Sequence, residues 1–413
     1  MPDSMTGPSA SVHPSATARR LEIFVAVLWL AAVVAATVQQ GVVHENNNFL
    51  IFRAASLHLL HGQDLYAAYP AEHFDNYKYS PTFALLFLPF ALTPVPAAML
   101  LWNALNAGVL YVALGALLPR RAATVARAIV FLDMLGSLQN VQSNSLVAGL
   151  MILTFAAYER RHTVLGSIAT AIGTNIKVFP LAVASVAIFH PRKLRVAVAL
   201  AVSFVGFAAL PLVVTAPSTL LAQYASWRAI ETSDALERGF ALMHHVQLLL
   251  RLDLPNWPFQ LLGVAALLAP VLVRRERWGD WAYRRFYLCS VLVFCIIFNH
   301  QAESPTFVIG AAGAALWFAS LERRSRWEWT LFAFFFVCTV LASSDAMPEW
   351  LQRNLFDPYR FKTVPLLLVW VELQRRLWAR TDERAVDAPA GGSQIGEVHQ
   401  SDVALRQPRP HSR

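Results

Sequence analysis

Charge is scarce in this sequence. Asp, Glu, Lys and Arg make up 15% of its 413 residues, against roughly 25% in an ordinary soluble domain. Cysteine is nearly absent as well. The three present, Cys289, Cys295 and Cys338, each sit inside an apolar run, where an isolated thiol behaves as a small hydrophobe. That excludes a disulfide-stapled secreted domain and a thiolate metal site. The chain also lacks a phosphate-binding glycine loop, an HExxH pair and a nucleophile elbow, which sets aside the chemistries those motifs carry.

Hydrophobic residues take up the room: 56% of the chain, with a mean hydropathy of +0.45. The bias runs along nearly the whole length, so a soluble enzyme on a single anchor is excluded. The net charge of +8 is scattered through short linkers and is no phosphate footprint, so no nucleic-acid partner is expected. Residues 1–20 and 381–413 are polar and read as cytoplasmic tails without fixed structure. They flank one polytopic membrane domain, 21–380. The run 21–38 follows Arg19-Arg20 as the core of a secretory signal does. It is long enough to span, however, and the rest of the chain needs an orienting first helix.

Apolar runs of helical length alternate with basic pairs: Arg19-Arg20, Arg120-Arg121, Arg160-Arg161, Arg192-Lys193, Arg274-Arg275, Arg323-Arg324 and Arg375-Arg376. Such linkers stay on the cytoplasmic side. Spans then fall near 21–39, 97–118, 122–137, 145–158, 163–174, 178–190, 194–214, 257–273, 284–299, 306–320, 328–342 and 361–378. This predicts an all-α integral membrane bundle of about twelve helices with both termini inside. The stretch 82–93 cannot also cross without inverting every later basic linker. It and 49–61 are therefore predicted as two interfacial helices in a first outer loop running from Gln39 to Pro96.

Partitioned this way, the inside linkers hold 21 Lys or Arg, the outside loops 9 and the C-terminal tail 4. The outside holds 12 Asp or Glu and 7 of the 12 histidines. Chemistry is expected on that face. The first loop presents His44-Glu45-Asn46-Asn47-Asn48, an amphipathic stretch containing Arg53, Asp64 in His61-Gly62-Gln63-Asp64-Leu65-Tyr66, and Lys78 and Tyr79 in Tyr77-Lys78-Tyr79-Ser80-Pro81. Three short outer turns carry Asn140, Gln142 and Asn144; Lys177; and His300 with Glu303.

An ionisable group held near the membrane costs roughly 2.5–3.5 kcal/mol on insertion scales and tends to be functional or paired. Lys177 and Glu303 are the sharpest cases, against the plainer readings that Lys177 snorkels to lipid phosphate and that Glu303 pairs with His300. An acid (Glu45, Asp64, Glu303) or an imidazole (His44, His300) can deprotonate an acceptor hydroxyl. A cation (Lys78, Lys177, with Arg53 in reserve) can neutralise a leaving phosphate, and amides (Asn48, Asn140, Gln142, Asn144) can hold sugar hydroxyls. The set suits glycosyl transfer from a lipid phosphate, and it would also suit a polar-solute permease.

Elsewhere, 215–256 reads as a surface helix pair near the site, with Trp227 at the interface. His244-His245 lacks the spacing and partners of a metal centre. Asp133, inside the third span, either pairs within the bundle or points to the site.

The residues resemble glycosyltransferase family 87. The resemblance rests on Asn48-Phe49, Gly62-Gln63-Asp64-Leu65-Tyr66, Tyr77-Lys78-Tyr79-Ser80-Pro81, Leu88-Pro89 and Leu101-Trp102-Asn103 with Asn106. Further on, Gln142-Ser143-Asn144 is similar to the family's Gln-x-Asn turn and Ile176-Lys177-Val178-Phe179-Pro180 to its Ile-Lys-x-x-Pro turn. The motifs are loose but collinear over most of 40–320. The resemblance implies a GT-C type fold with interfacial helices in its first outer loop. It also implies an active site on the outer face, a polyprenyl-phosphate sugar donor, often mannose, and inverting chemistry without a metal or cofactor.

One position departs: family members generally have Asp, taken as the base, where this chain has Asn48, and an amide cannot accept a proton. Glu303 is favoured as the replacement, in a tight turn that can desolvate it, with Glu45 and Asp64 behind.

The sequence thus predicts a hexosyltransferase, with mannose the first sugar to consider, of a bacterial inner membrane that acts on a lipid or glycan acceptor at the outer face. The rivals are a transporter or flippase of a lipid-linked or polar solute, weakened by the absence of an internal repeat, and a non-catalytic assembly partner.

Overall fold

The computed structural model describes residues 16–43, 47–251, 254–343 and 347–380. Among these, every regular element is helical. In chain order they are α1 (Ala16–Val38), α2 (Asn47–Leu60), α3 (Pro81–Ala91), α4 (Val95–Leu117), α5 (Arg120–Gln139), α6 (Asn144–Glu159) and α7 (Thr163–Ile176). A 3₁₀ segment at Phe179–Phe189 leads to α8 (Lys193–Ala209), α9 (Pro217–Ser233), α10 (Leu242–Leu250), α11 (Asn256–Val273) and α12 (Trp281–Ile297). The last are α13 (Phe307–Ala319), α14 (Arg326–Phe335), the single turn α15 (Glu349–Leu351) and α16 (Thr363–Trp378). The described residues up to Trp378 form one packed unit; of the second unit, 379–413, only 379 and 380 are described.

Surface chemistry shows what solvates this bundle. On α1, Phe24, Val27, Leu30 and Val34 are exposed while Val25, Trp29, Val33 and Ala36 are buried, so both faces are apolar. On α8, Leu194, Val198, Val202 and Val205 are all more than half exposed. A soluble protein does not leave such stripes bare; hydrocarbon accepts them. Among the described residues, five helical stretches, Ala16–Gly41, Val95–Leu117, Arg120–Gln139, Lys193–Val213 and Asn256–Val273, are long and apolar enough to cross a membrane. The chain is a helical membrane protein.

The 3₁₀ segment opens with Phe179-Pro180. At about 2.0 Å rise per residue, its 11 residues reach about 22 Å, where an α-helix of the same length would cover about 16 Å.

Helix α13 lies at the centre: all 13 of its residues, FVIGAAGAALWFA, are buried. Its small residues permit close helix packing. A Cβ at Gly313 would stand 2.8 Å from the carbonyl oxygen of Cys289 on α12, so only glycine lets the two backbones approach this closely.

Helices α2 and α3, of 14 and 11 residues, pack together through Phe49, Phe52, Phe83 and Phe87. At 1.5 Å per residue they measure about 21 and 16 Å, short of the ~30 Å hydrocarbon core. They rest on Trp102 of α4, whose ring centroid lies 5.0–6.2 Å from those of Phe52, Phe83, Phe87 and Phe90. The Trp102 indole in turn donates to the carbonyl of Val141 in the α5–α6 turn (3.3 Å). Asn106 Oδ1 accepts the Leu146 N–H (3.0 Å), an unsatisfied donor of the first turn of α6. Trp102 and the second Asn of this motif are therefore structural: Trp102 ties the short-helix pair to the α5–α6 turn and Asn106 caps the start of α6, while Asn103 donates to Thr37 Oγ1 on α1 (3.2 Å).

Candidate active site

Helices α5, α7 and α12 end, and α6 and α13 begin, at one end of the bundle, opposite Arg120-Arg121 and Arg160-Arg161. A cavity of ≈ 420 Å³ opens there. Its walls come from α2 (Asn48, Phe52), the loop before α3 (Lys78, Tyr79), the α5–α6 turn (Gln142), the end of α7 (Lys177), α9 (Trp227, Glu231) and the turn 299–303. A larger groove of ≈ 880 Å³ runs between α7 and α8, but Arg195 is its one ionisable residue. The smaller cavity is the one lined by several ionisable and amide side chains.

Local sequence explains each placement. Ser80 caps α3 by accepting the Phe83 N–H (3.1 Å) and donates to the Asn175 carbonyl at 2.5 Å, tying the Lys78-Tyr79 loop to the end of α7. Lys177 terminates α7 in an extended conformation, and Pro180 cannot continue the helix. Tyr79 Oη and Lys177 Nζ both donate to Gln142 Oε1, each at 3.4 Å, and Nζ stands 5.8 Å from the Tyr79 ring centroid. Lys177 makes no ion pair with the described residues. Burial pushes its ammonium down to about 8, and the Glu303 carboxylate opposes that shift. Burial, then the charge of Glu303, raises the Tyr79 phenol. Glu303 thus acts electrostatically on both residues of this wall.

The turn carrying His300 and Glu303 is held from two sides. Gly239 N–H donates to the His300 carbonyl and Phe240 N–H to the Ala302 carbonyl, both at 2.7 Å. A Cβ at Gly239 would lie 2.2 Å from the Ala302 oxygen, so the contact requires glycine. Gln260 hydrogen-bonds His300 Nδ1 (3.0 Å), and Nε2 has no partner among the described residues. Burial lowers the His300 pKa, against the attraction of Glu237 and Asp234, so the imidazole is neutral at pH 7. The Thr306 hydroxyl accepts the Glu303 N–H (3.3 Å).

An acidic wall faces these groups. Lys78 Nζ lies 2.8 Å from Asp234 Oδ2 and 3.6 Å from Glu237 Oε1. Burial works against the Lys78 ammonium, but the hydrogen bond and charge of Asp234 outweigh it and raise the pKa. Burial and then Asp234 raise the Glu231 carboxyl.

Of the residues expected from sequence, Asn48, Lys78, Tyr79, Gln142, Lys177, His300 and Glu303 come together around the cavity. Four do not line it, because each is used locally. Arg53 Nε donates to the Ala91 carbonyl at the end of α3 (3.2 Å). Asp64 Oδ1 accepts the Tyr66 N–H (3.1 Å) and closes a loop turn. Asn140 bonds back to Gly136 (2.9 Å). Asn144 is fully buried at the start of α6, with neither side-chain polar atom bonded to a described residue. Glu45 and His44 lie outside the described residues. Glu303 is exposed at the cavity, where desolvation was expected, because it precedes the first turn leading into α13 instead of lying within it.

Asp133 pairs inside the bundle, with Lys362 Nζ at 3.3 Å. Sequence reasoning missed Glu231, Glu237 and Gln260. Glu231 was findable as the i+4 partner of Trp227 on one face of α9.

The chain matches the model of glycosyltransferase family 87 over residues 77–298, more than half its length. No curated protein gives a significant match. The matched segment contains Lys78, Tyr79, Gln142, Lys177 and Trp227 of the cavity, while Asn48, His300 and Glu303 fall outside it. With the family model covering this much of a helical membrane protein and most of its cavity walls, the chain belongs to glycosyltransferase family 87 and is a membrane glycosyltransferase.

Proposed function

We propose that this enzyme moves a hexose, mannose in the first instance, from a polyprenyl-phosphate donor to a lipid or envelope-glycan acceptor. In this reading the enzyme is a multi-pass protein of a bacterial inner membrane, with the cavity outward and both termini cytoplasmic. About twelve helical segments cross, in the GT-C manner, and α2 and α3 lie in the outer leaflet. The partition of basic pairs to the bundle end opposite the cavity supports that orientation.

The observation that carries the proposal is the pairing of roles across one cavity: Lys177, a cation with no carboxylate partner among the described residues, and Glu303, a carboxylate exposed to the same space. An acceptor hydroxyl attacks the anomeric carbon and gives its proton to Glu303. The bond between that carbon and the phosphate oxygen breaks, and polyprenyl phosphate leaves with its new charge facing Lys177. Attack and departure on opposite faces invert the anomeric centre. Gln142 orients the Lys177 ammonium and Tyr79, while Asn48 and His300 present polar atoms to the sugar. Lys78 is neutralised by Asp234 and Glu237 and serves to position the acidic wall.

The test is reconstitution of the purified protein with radiolabelled polyprenyl-phosphate hexose and a membrane lipid extract. A labelled glycolipid product is expected. Donor binding or translocation without any product would overturn the proposal in favour of a transporter.

A further inference from the structure

The turn that brings Glu303 to the cavity has a third anchor. Lys362, just before α16, is 3% exposed and Asp133, on α5, likewise 3%. Their ion pair at 3.3 Å ties α5 to the start of α16. The same Nζ donates to the Ser304 carbonyl (3.3 Å) and to Ser304 Oγ (3.2 Å), and stands 4.5 Å from the centroid of the Phe307 ring. Ser304 is the residue after Glu303. Next in the chain, Thr363 Oγ1 donates to the Phe240 carbonyl (2.7 Å), and Phe240 N–H holds Ala302.

Directly, or through Phe240 and Lys362, these contacts converge on residues 300–304. Gly239 and Phe240 grip the turn through its His300 and Ala302 carbonyls, and Lys362 grips it through Ser304. Asp133 makes that possible. A buried ammonium without a counter-charge is strongly disfavoured, and Asp133 is the carboxylate that offsets it.

We infer that Lys362 and Asp133 form a positioning couple for the transfer reaction, whose work is to fix the Glu303 turn at the cavity. The inference rests on the assignment of Glu303 as base. Neither residue touches the cavity, so neither is catalytic. Lys362 and Glu303 both lie beyond the segment matched to the family model. The carboxylate that stands in for the residue replaced by Asn48 and its tether therefore come from the same part of the chain.

A single Lys362→Met change would strand the Asp133 charge and endanger folding. The informative variant is Lys362→Met with Asp133→Leu, which removes both charges together. Its amide hydrogen exchange across 299–306 is expected to rise about tenfold or more over the parent, with the α12–α13 core unchanged. Its kcat is expected to fall about 10²-fold, as for a reacting group displaced by about 1 Å, with the Kd for polyprenyl phosphate unaltered. Ser304→Ala, which deletes one of the anchor's two acceptors and leaves the ion pair intact, is expected to raise exchange in the same segment to a smaller extent. Lys362→Arg, which preserves the charge and its donors, is expected to retain most of kcat.

Unchanged exchange at 299–306 in both the double variant and Ser304→Ala would overturn the inference. So would a double variant that keeps full kcat, or one that loses donor binding in step with kcat. If the parent protein transfers no sugar, the transferase reading fails by itself, and the exchange measurement still decides whether the couple holds the turn.

Discussion

The Asn48 side-chain amide donates a 2.9 Å hydrogen bond to the main-chain carbonyl of Asn140, at the end of α5. A carboxylate has no proton to offer that carbonyl, so Asn48, which stands where the resemblance leads one to expect a base, makes a bond an ionised Asp cannot make. Asn48→Asp should bring two oxygens together and cost about 1–3 kcal/mol of stability. It should also fail to rescue activity in a Glu303→Gln background. Thermal unfolding in detergent and transfer assays on the single and double variants check both parts; recovery of activity in the double variant would return the role of base to position 48.

Glu303→Gln keeps the shape and removes the proton acceptor. The expected loss is about 10²–10⁴-fold in kcat, with donor affinity near that of the parent. Single-turnover rates and donor binding separate the two. Full activity in this variant would move the base to another carboxylate, with Glu231, whose carboxyl burial raises, the first to be tried.

Lys177 predicts a pH dependence of definite sign. Burial depresses its pKa to about 8, and the proposed phosphate leaving group would need the protonated form. For the free enzyme, while Glu303 is ionised, kcat/KM should be high on the acid side of about 8 and fall as the pH rises through it. Stability should run the other way. Between the folded value and the ordinary lysine value, the unfolded chain holds the proton that the folded chain has released, so stability rises with pH across that window. Opposite trends in one sample distinguish titration from unfolding. Lys177→Met should abolish the alkaline limb and lower kcat about 10²-fold, whereas Lys78→Met, whose charge Asp234 and Glu237 already neutralise, should leave that limb in place.

Gly239→Ala places a methyl group on the Ala302 carbonyl. Main-chain atoms cannot swing aside as a flexible side chain does, so the turn must shift or the clasp must open. About 1–3 kcal/mol of stability should be lost, together with most of kcat. Calorimetry and transfer rates measure the pair of effects, and a Gly239→Ala variant with unchanged kcat would show that the clasp does not set the position of Glu303.

Much of this was legible along the chain. Apolar runs of 16–23 residues appear as α1, α4, α5, α6, α8, α11, α12 and α16, because a helix in an apolar setting is dictated by its own residues and its own hydrogen bonds. Lys177 and Glu303 stood out since ionisable groups are so few that each one near an apolar run needs a reason. The local fates of Arg53, Asp64, Asn140 and Asn144 were not legible. A polar side chain in a loop has several possible hydrogen-bond partners within a few residues, and the sequence does not rank them against a distant cavity.

What the sequence determined by itself was the medium and the helices, for these follow from transfer free energies summed residue by residue. Only the tertiary structure decided which polar groups meet. Asp133 and Lys362 are 229 positions apart, and Gly239 and Ala302 are separated by three helices. Their contacts arise only once the chain is packed, with α12 and α13 leading into and out of the turn 300–304. Close packing, unlike hydropathy, is a property of the whole assembly.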